Sequence, residues 1–352
     1  MGTFRSASLL FFRSIENQES NQMAKKNKLL ICGATGFVGR NMVEYFADNP
    51  DYEVHATHNM RPKFQHQNVR WHKANLTNER EVGCLLAKIK PDQMVQAAAT
   101  TSGAKDIVSR PYIHVTDNAV MNSYLFRSAV EHGVKHVLFF SCTVMYQSSV
   151  VPIKETDYDA NLPVHPRYFG VAHTKLYLEK MCEFYSSLGE TKFTVVRHSN
   201  VFGPYDKYDF ERSHFFGANV SKVMTSDGKI SVWGTGEEER DLMFVSDLCR
   251  FIDFAIAKQK APYQMYHCGS GQAYSVLDVV KMIIAASGKN IEITHDLSMP
   301  TIKTSLCLDC SLANKELGWQ AETQLMNGIE DSIAWWKNNI DPKTLALRYR
   351  ES

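Results

Sequence analysis

The sequence predicts an α/β fold: a doubly wound parallel sheet carrying a smaller C-terminal α/β lobe. Three observations predict it. Apolar strand-like runs alternate with amphipathic helical stretches over about the first 200 residues. A glycine-spaced turn, GATGFVG, follows the first such run and opens the first helix. Beyond Gly203 the alternation becomes mixed, with short strands set between helices.

The elements follow in order. KLLIC is an apolar strand leading into the glycine turn and the helix VGRNMVEYFADN. YEVHATH (52–58) and QMVQAAA (93–99) read as further strands, as do HVLFFS (136–141) and KFTVVRHSNVFGP (192–204). Helical patterns cover 113–132 and 168–188. KISVWGTG, FVSDLCRFIDFAIAK, YSVLDVVKMIIAASG and LMNGIEDSIAWWKNN then build the second lobe, and Trp335 and Trp336 read as its core. The expected division is a non-core extension over 1–24, a nucleotide-binding domain over 25–202 and a substrate lobe over 203–345, partly interleaved with it.

Composition narrows the function classes. A net charge of +1 with 44% hydrophobic and 22% charged residues gives no reason to expect a nucleic-acid or membrane partner. No apolar run approaches the roughly 20 residues needed to span a bilayer. Eight scattered cysteines fit reduced thiols and a cytoplasmic protein. Cys307 and Cys310 form a C-x-x-C without a second cysteine or histidine pair, so no metal site is expected.

Gly33, Gly36 and Gly39 stand in G-x-x-G-x-x-G spacing between a strand and a helix. The first permits a tight turn, the second lets backbone approach a pyrophosphate, and the third lets helix and strand pack closely. This Rossmann-type context makes Gly33, Thr35, Gly36, Phe37, Val38 and Gly39 candidate cofactor-binding residues. The second strand ends in THNMRPK, with no acid but with Arg61 and Lys63. A carboxylate there would suit the ribose hydroxyls of NAD, whereas Arg61 suits the 2′-phosphate of NADP. NADP is therefore expected and NAD stays open, the alternative being that both cations are solvated loop charges.

The glycine turn together with NLTN, QAAA, HSNVFGP, WGTGEEERDLMFVSDL and YHCGSG resembles the extended short-chain dehydrogenase/reductases over about residues 27–340. Within that family the likeness is to the GDP-L-fucose synthases, which epimerise a GDP-linked 4-keto-6-deoxy sugar at C3 and C5 and then reduce C4. The resemblance implies that Asn75, Leu76, Ala97, Ala98, Ala99, Asn118, Asn200 and Val201 also line the cofactor site. It implies a catalytic lysine at Lys175 and a substrate loop ending at Ser213 and His214. Asn200, Lys222, Trp233 and Arg240 would then meet the nucleotide sugar. A homodimer through the helices at 113–132 and 168–188 is also implied.

The resemblance breaks at the family's Ser/Thr–Tyr–Lys set. Tyrosine and lysine four apart share one helix face, and the tyrosine position relative to Lys175 is Val171. Tyr168 lies seven before Lys175, roughly 10 Å along a helix axis. It reaches inward only if the helix starts after it, which Pro166 permits. The Ser/Thr position is Cys142, flanked by Thr143, and the position of the resembled enzymes' catalytic cysteine is Val144. Cys142 has two readings: a thiol with its pKa lowered by Lys175, or a packing residue. His214 is the candidate acid or base at neutral pH. The sequence thus predicts a nucleotide-sugar epimerase, with reduction as a further activity. The alternative is a catalytically degenerate homologue that binds NAD(P) or a nucleotide sugar as a sensor or partner protein.

Overall fold

A computed structural model describes residues 26–100, 111–210, 213–298, 304–342 and 345; the extension expected over 1–24 lies outside them. The first half of the chain runs β1 (Asn27–Cys32), α1 (Phe37–Phe46), β2 (Tyr52–His58), β3 (Val69–Lys73), α2 (Glu79–Ile89) and β4 (Gln93–Gln96). It continues through α3 (Thr116–Glu131), β5 (His136–Phe140), α4 (Phe169–Ser186) and β6 (Lys192–His198). The second half runs β7 (Asn200–Phe202), α5 (Phe215–Thr225), β8 (Lys229–Trp233), β9 (Glu239–Phe244), α6 (Val245–Lys258) and β10 (Tyr263–Cys268). It ends with β11 (Ala273–Ser275), α7 (Val276–Ser287), β12 (Glu292–Asp296), β13 (Ser305–Leu306), α8 (Ser311–Leu317) and α9 (Leu325–Asn339).

The main sheet has 7 strands in the order β10-β6-β5-β4-β1-β2-β3, all parallel. Its strands are apolar on both faces because helices cover both, as a parallel sheet requires. On one face Leu29, Ile31 and Val95 pack with Val43 and Phe46 of α1, Phe251 and Ile252 of α6, and Trp319. On the other, Leu30, Met94 and Val137 pack with Leu86 of α2, Leu125 and Phe126 of α3, and Leu178 of α4. Crossovers leave β1 toward β2 on one side and, later in the chain, toward β4 on the other. The crevice over the carboxyl ends of β1 and β4 is therefore the switch point where ligands bind in such sheets.

A third core holds the smaller lobe: Phe216 and Val220 of α5, Val279 and Ile283 of α7, and Ile329, Ile333 and Trp336 of α9. Its strands are short, with β9 flanked by β7, β11 and β13, and β8 paired with β12. The chain beyond Gly203 is not all lobe. Helix α6 and strand β10 return to the main sheet, all of β10 pairing with β6, while β7 departs from it to pair with β9.

Candidate active site

Strand β1 ends at Cys32 and the chain turns at Gly33 with φ 73°. A Cβ at Gly33 would lie 2.5 Å from the Ala98 Cα, and one at Gly39 would lie 2.2 Å from the Gly33 carbonyl oxygen. Both positions therefore exclude any side chain. At Gly36 an added Cβ meets only the Gly33 oxygen at 3.3 Å, which leaves the outer side of the loop open. Thr57 of β2 fixes the turn, its Oγ1 accepting from the Gly33 N–H at 2.9 Å and its carbonyl from Ala34 at 3.1 Å. Gly36 caps α1 without a side-chain hydrogen bond, so the first N–H groups of the helix stay directed at the loop mouth. This is a cradle for a pyrophosphate, and it fits a nicotinamide dinucleotide.

Around it, Thr35, Phe37 and Val38 are partly buried on the same turn. Ala97 and Ala98 border the glycine turn from the end of β4, Ala97 donating to the Cys32 carbonyl at 3.2 Å. Ala99 is exposed and Leu76 is buried in the core. Asn75 uses its Oδ1 within its own turn, accepting from the N–H and hydroxyl of Thr77. Arg61 stands exposed in the loop after β2.

The second group of residues meets where β5 ends and α4 begins. β5 stops at Phe140, so Cys142 and Thr143 already lie in the following turn, outside strict alternation. Lys175 Nζ donates to the Phe140 carbonyl at 2.6 Å and lies 4.6 Å from the Phe139 ring centroid. Burial lowers the pKa of Lys175, while Cys142 and Glu179 pull it back up. Residues Pro166–Tyr168 form a 3-10 turn and α4 starts only at Phe169, so Tyr168 is the residue capping the helix. The chain bends there, and Tyr168 turns in to pack with Cys142 on the Met145, Tyr146 and Ala172 cluster. Burial raises its hydroxyl pKa, with Arg240 and Arg167 pulling it down and Cys142 raising it further.

The third group comes from β6, β7 and α5. His214 caps α5 and is reached by solvent, yet protein crowds it enough that desolvation, helped by Lys207, lowers its pKa. His198 ends β6, its pKa lowered to about 4 by burial and by Lys175 and His214. Accessible side chains with desolvated charges are what a cleft wall presents. Arg240 on β9 feels the charge of Tyr168 and donates to the carbonyls of Glu239 at 2.7 Å and Thr304 at 2.6 Å. Asn200 Nδ2 donates to the Asp241 carbonyl at 3.1 Å, beside the partly buried Val201. Lys222 Nζ sits 5.4 Å from the Trp233 ring centroid and donates to the Ser231 carbonyl, while the Trp233 ring is 42% exposed.

The NAD dependent epimerase/dehydratase family model matches residues 29–269, from within β1 through β10. The chain belongs to this family. GDP-L-colitose synthase of Yersinia pseudotuberculosis is 24% identical over 88% of the chain and 98% of its own length. GDP-L-fucose synthase of Azorhizobium caulinodans is 26% identical over 89% and 97%. Among solved structures, UDP-glucose 4-epimerase of Thermotoga maritima superposes with a TM-score of 0.80, at 21% identity over 89% of this chain and 100% of that one. A GDP-6-OMe-4-keto-L-xylo-heptose reductase from C. jejuni superposes at 0.78, with 20% identity over 89% and 98%.

The structure bears on three of the sequence readings in this epimerase/dehydratase chain. Of the two readings of Cys142, burial favours the packing one: it raises the thiol pKa, and Lys175 with the Val144 N–H only partly offsets this. Asn118 is a supporting residue, both of its amide hydrogens being committed to the carbonyls of Thr100 and His114, at 3.0 and 2.8 Å. Ser213 ties its own loop, its hydroxyl donating to the Lys207 carbonyl and accepting from the Asp209 N–H.

Sequence reasoning missed what lies beneath the site. Glu179 on α4 takes two hydrogen bonds from the Arg197 guanidinium, at 2.9 and 2.5 Å, and one from the Ser141 hydroxyl at 2.5 Å. Arg197 also donates to the Tyr146 hydroxyl at 2.6 Å, which lies 2.6 Å from His267 Nε2. This fully buried chain fixes β5, α4, β6 and β10 against one another below Cys142 and Lys175. A signal was present: an arginine inside the apolar run VVRH needs a buried partner, and Glu179 stands one helical turn after Lys175.

Proposed function

We propose that this protein is a nucleotide-sugar epimerase acting on a GDP-linked 4-keto-6-deoxy hexose, with a reductase step that uses NADPH. The observation that carries the reading is the chain of neighbouring groups at the carboxyl edge of β5 and β6: Lys175 acts on Cys142, Cys142 and Arg240 on Tyr168, and Lys175 and His214 on His198. Relatives named GDP-L-fucose and GDP-L-colitose synthase support the sugar class.

A 4-ketone acidifies the C–H bonds at C3 and C5, so inversion needs a base on one ring face and an acid on the other. His214, held neutral by its lowered pKa, takes the proton and leaves an enolate. Cys142, held protonated by its raised pKa, returns a proton from the opposite face, and Lys175 stabilises the thiolate left behind. Solvent resets both groups. A bound nicotinamide cofactor supplies the hydride for reduction. Tyr168 then takes the part of the missing tyrosine, giving its hydroxyl proton to the developing alkoxide, with Arg240 stabilising the tyrosinate. The Trp233 face and Lys222 suit a base and a phosphate at the far end of the ligand.

The second subunit belongs to the same proposal. Phe169, Tyr177 and Phe184 are exposed at 62%, 52% and 58% along one stripe of α4, continued by Leu188. Such a stripe suits burial against a second copy. Val171 favours a second reading, a nucleotide-sugar binder without turnover. Turnover separates the two: incubation with GDP-4-keto-6-deoxymannose and NADPH is expected to consume NADPH and form a 6-deoxyhexose product. Binding of both ligands with the sugar recovered unchanged would establish the binder.

A further inference from the structure

His198 stands outside every role assigned so far, yet it adjoins groups that carry them. It ends β6 at the carboxyl edge of the sheet, its ring 6.1 Å from Phe140, whose carbonyl holds Lys175. It is near enough to Lys175 and His214 for a charge on either to act on it. Its Nδ1 lies 2.8 Å from the Ser199 carbonyl. A carbonyl only accepts, so Nδ1 carries the proton and Nε2 of the neutral ring is an acceptor with its lone pair free. No partner among the described residues engages Nε2, and it is not among the buried side-chain atoms lacking one, so it is open to a ligand.

We infer that His198 is a further ligand-binding residue of this cleft, its Nε2 accepting a hydrogen bond from an N–H or O–H donor where the nicotinamide meets the sugar. The donor is either the cofactor carboxamide or a hydroxyl of the sugar ring, and both present the same chemistry. The inference rests on the reading of the cleft as a nucleotide-sugar site. The surroundings forbid the alternative in which an imidazolium donates. A positive charge on Lys175 of α4 or on His214 before α5 disfavours an imidazolium, Phe140 of β5 offers only an aromatic edge, and the neighbouring Ser199 carbonyl already takes the Nδ1 proton. With its pKa lowered to about 4, the ring stays neutral through the physiological range.

The test is calorimetric binding to the full-length protein with three probes: NADPH, ADP-ribose 2′-phosphate, which lacks the nicotinamide, and GDP-mannose in the presence of NADP⁺. His198→Phe keeps the ring and removes the acceptor. It is expected to weaken one probe about tenfold, as losing one neutral hydrogen bond does. Loss with NADPH but not with ADP-ribose 2′-phosphate assigns the carboxamide; loss with GDP-mannose alone assigns a sugar hydroxyl. His198→Gln, which keeps an acceptor at similar reach, is expected to bind within about threefold of the unmodified protein, and its melting temperature controls for misfolding. The wild-type affinity should stay flat from pH 6 to 8. Equal affinity of His198→Phe and wild type for all three probes would overturn the inference, as would an affinity that rises as an imidazolium forms. A wild-type protein that binds none of the probes would instead sink the nucleotide-sugar reading itself.

Discussion

Tyr168 and Val171 pose the residue-scale question of whether a tyrosine two helical turns from the lysine replaces one a single turn away. Under the proposed function the 3-10 turn at Pro166–Tyr168 is what would let it, because Tyr168 leaves the helix and packs on the same cluster as Cys142. Tyr168→Phe should therefore slow NADPH oxidation by roughly 10²- to 10⁴-fold, the usual loss of a general acid. Proton exchange at C3 and C5 should continue, and the two rates are measured side by side. The exchange reaction has its own pH signature. His214 must be neutral, and its pKa is lowered from 6.5, so the acid limb falls below 6.5. Cys142 must be protonated, and its pKa is raised from 9.0, so the alkaline limb lies above 9.0. A rate profile with a limb at pH 7 to 8 would contradict these assignments. At this scale Lys175 and His214 became candidates only through the family resemblance, and the two readings of Cys142 turn on its burial, which spacing does not carry. The bend that brings in Tyr168 was only half legible, since Pro166 permits a late helix start without requiring it.

Elements carry the next set of consequences. Gly39→Ala would drive a Cβ to 2.2 Å from the Gly33 oxygen, pushing α1 away from β1. Overpacking of that kind costs about 1–3 kcal/mol and should abolish NADPH binding with it. Gly83, within α2, meets nothing within 4 Å, so Gly83→Ala should instead stabilise by about 0.5–1 kcal/mol. Urea denaturation reads both. Glu179→Gln leaves the buried Arg197 without its counter-charge, and about 3–5 kcal/mol should be lost. Strands and the glycine turn were readable because their cause is local: apolar runs and a backbone that admits no side chain. The return of β10 to pair with β6 was not, because the pairing joins segments far apart in sequence and leaves no periodic trace.

At the scale of the whole molecule, burial keeps several histidines neutral. His136, His198 and His267 are each lowered from 6.5 to about 4. Between those values the unfolded chain binds protons that the folded chain refuses, so stability falls as pH drops from 6.5 toward 4. The melting temperature should decline through that window and level off above pH 7. The stripe on α4 adds a second expectation: Tyr177→Asp with Phe184→Asp should convert a dimer to a monomer in light scattering, with the fold retained. The most direct test of the account is mass spectrometry of GDP-4-keto-6-deoxymannose after incubation with the protein and NADPH in D₂O. Deuterium entering the sugar in wild type and in Tyr168→Phe, but not in His214→Asn, is the predicted result. A sugar whose mass is unchanged, from protein that binds it, would contradict epimerase chemistry in this cleft.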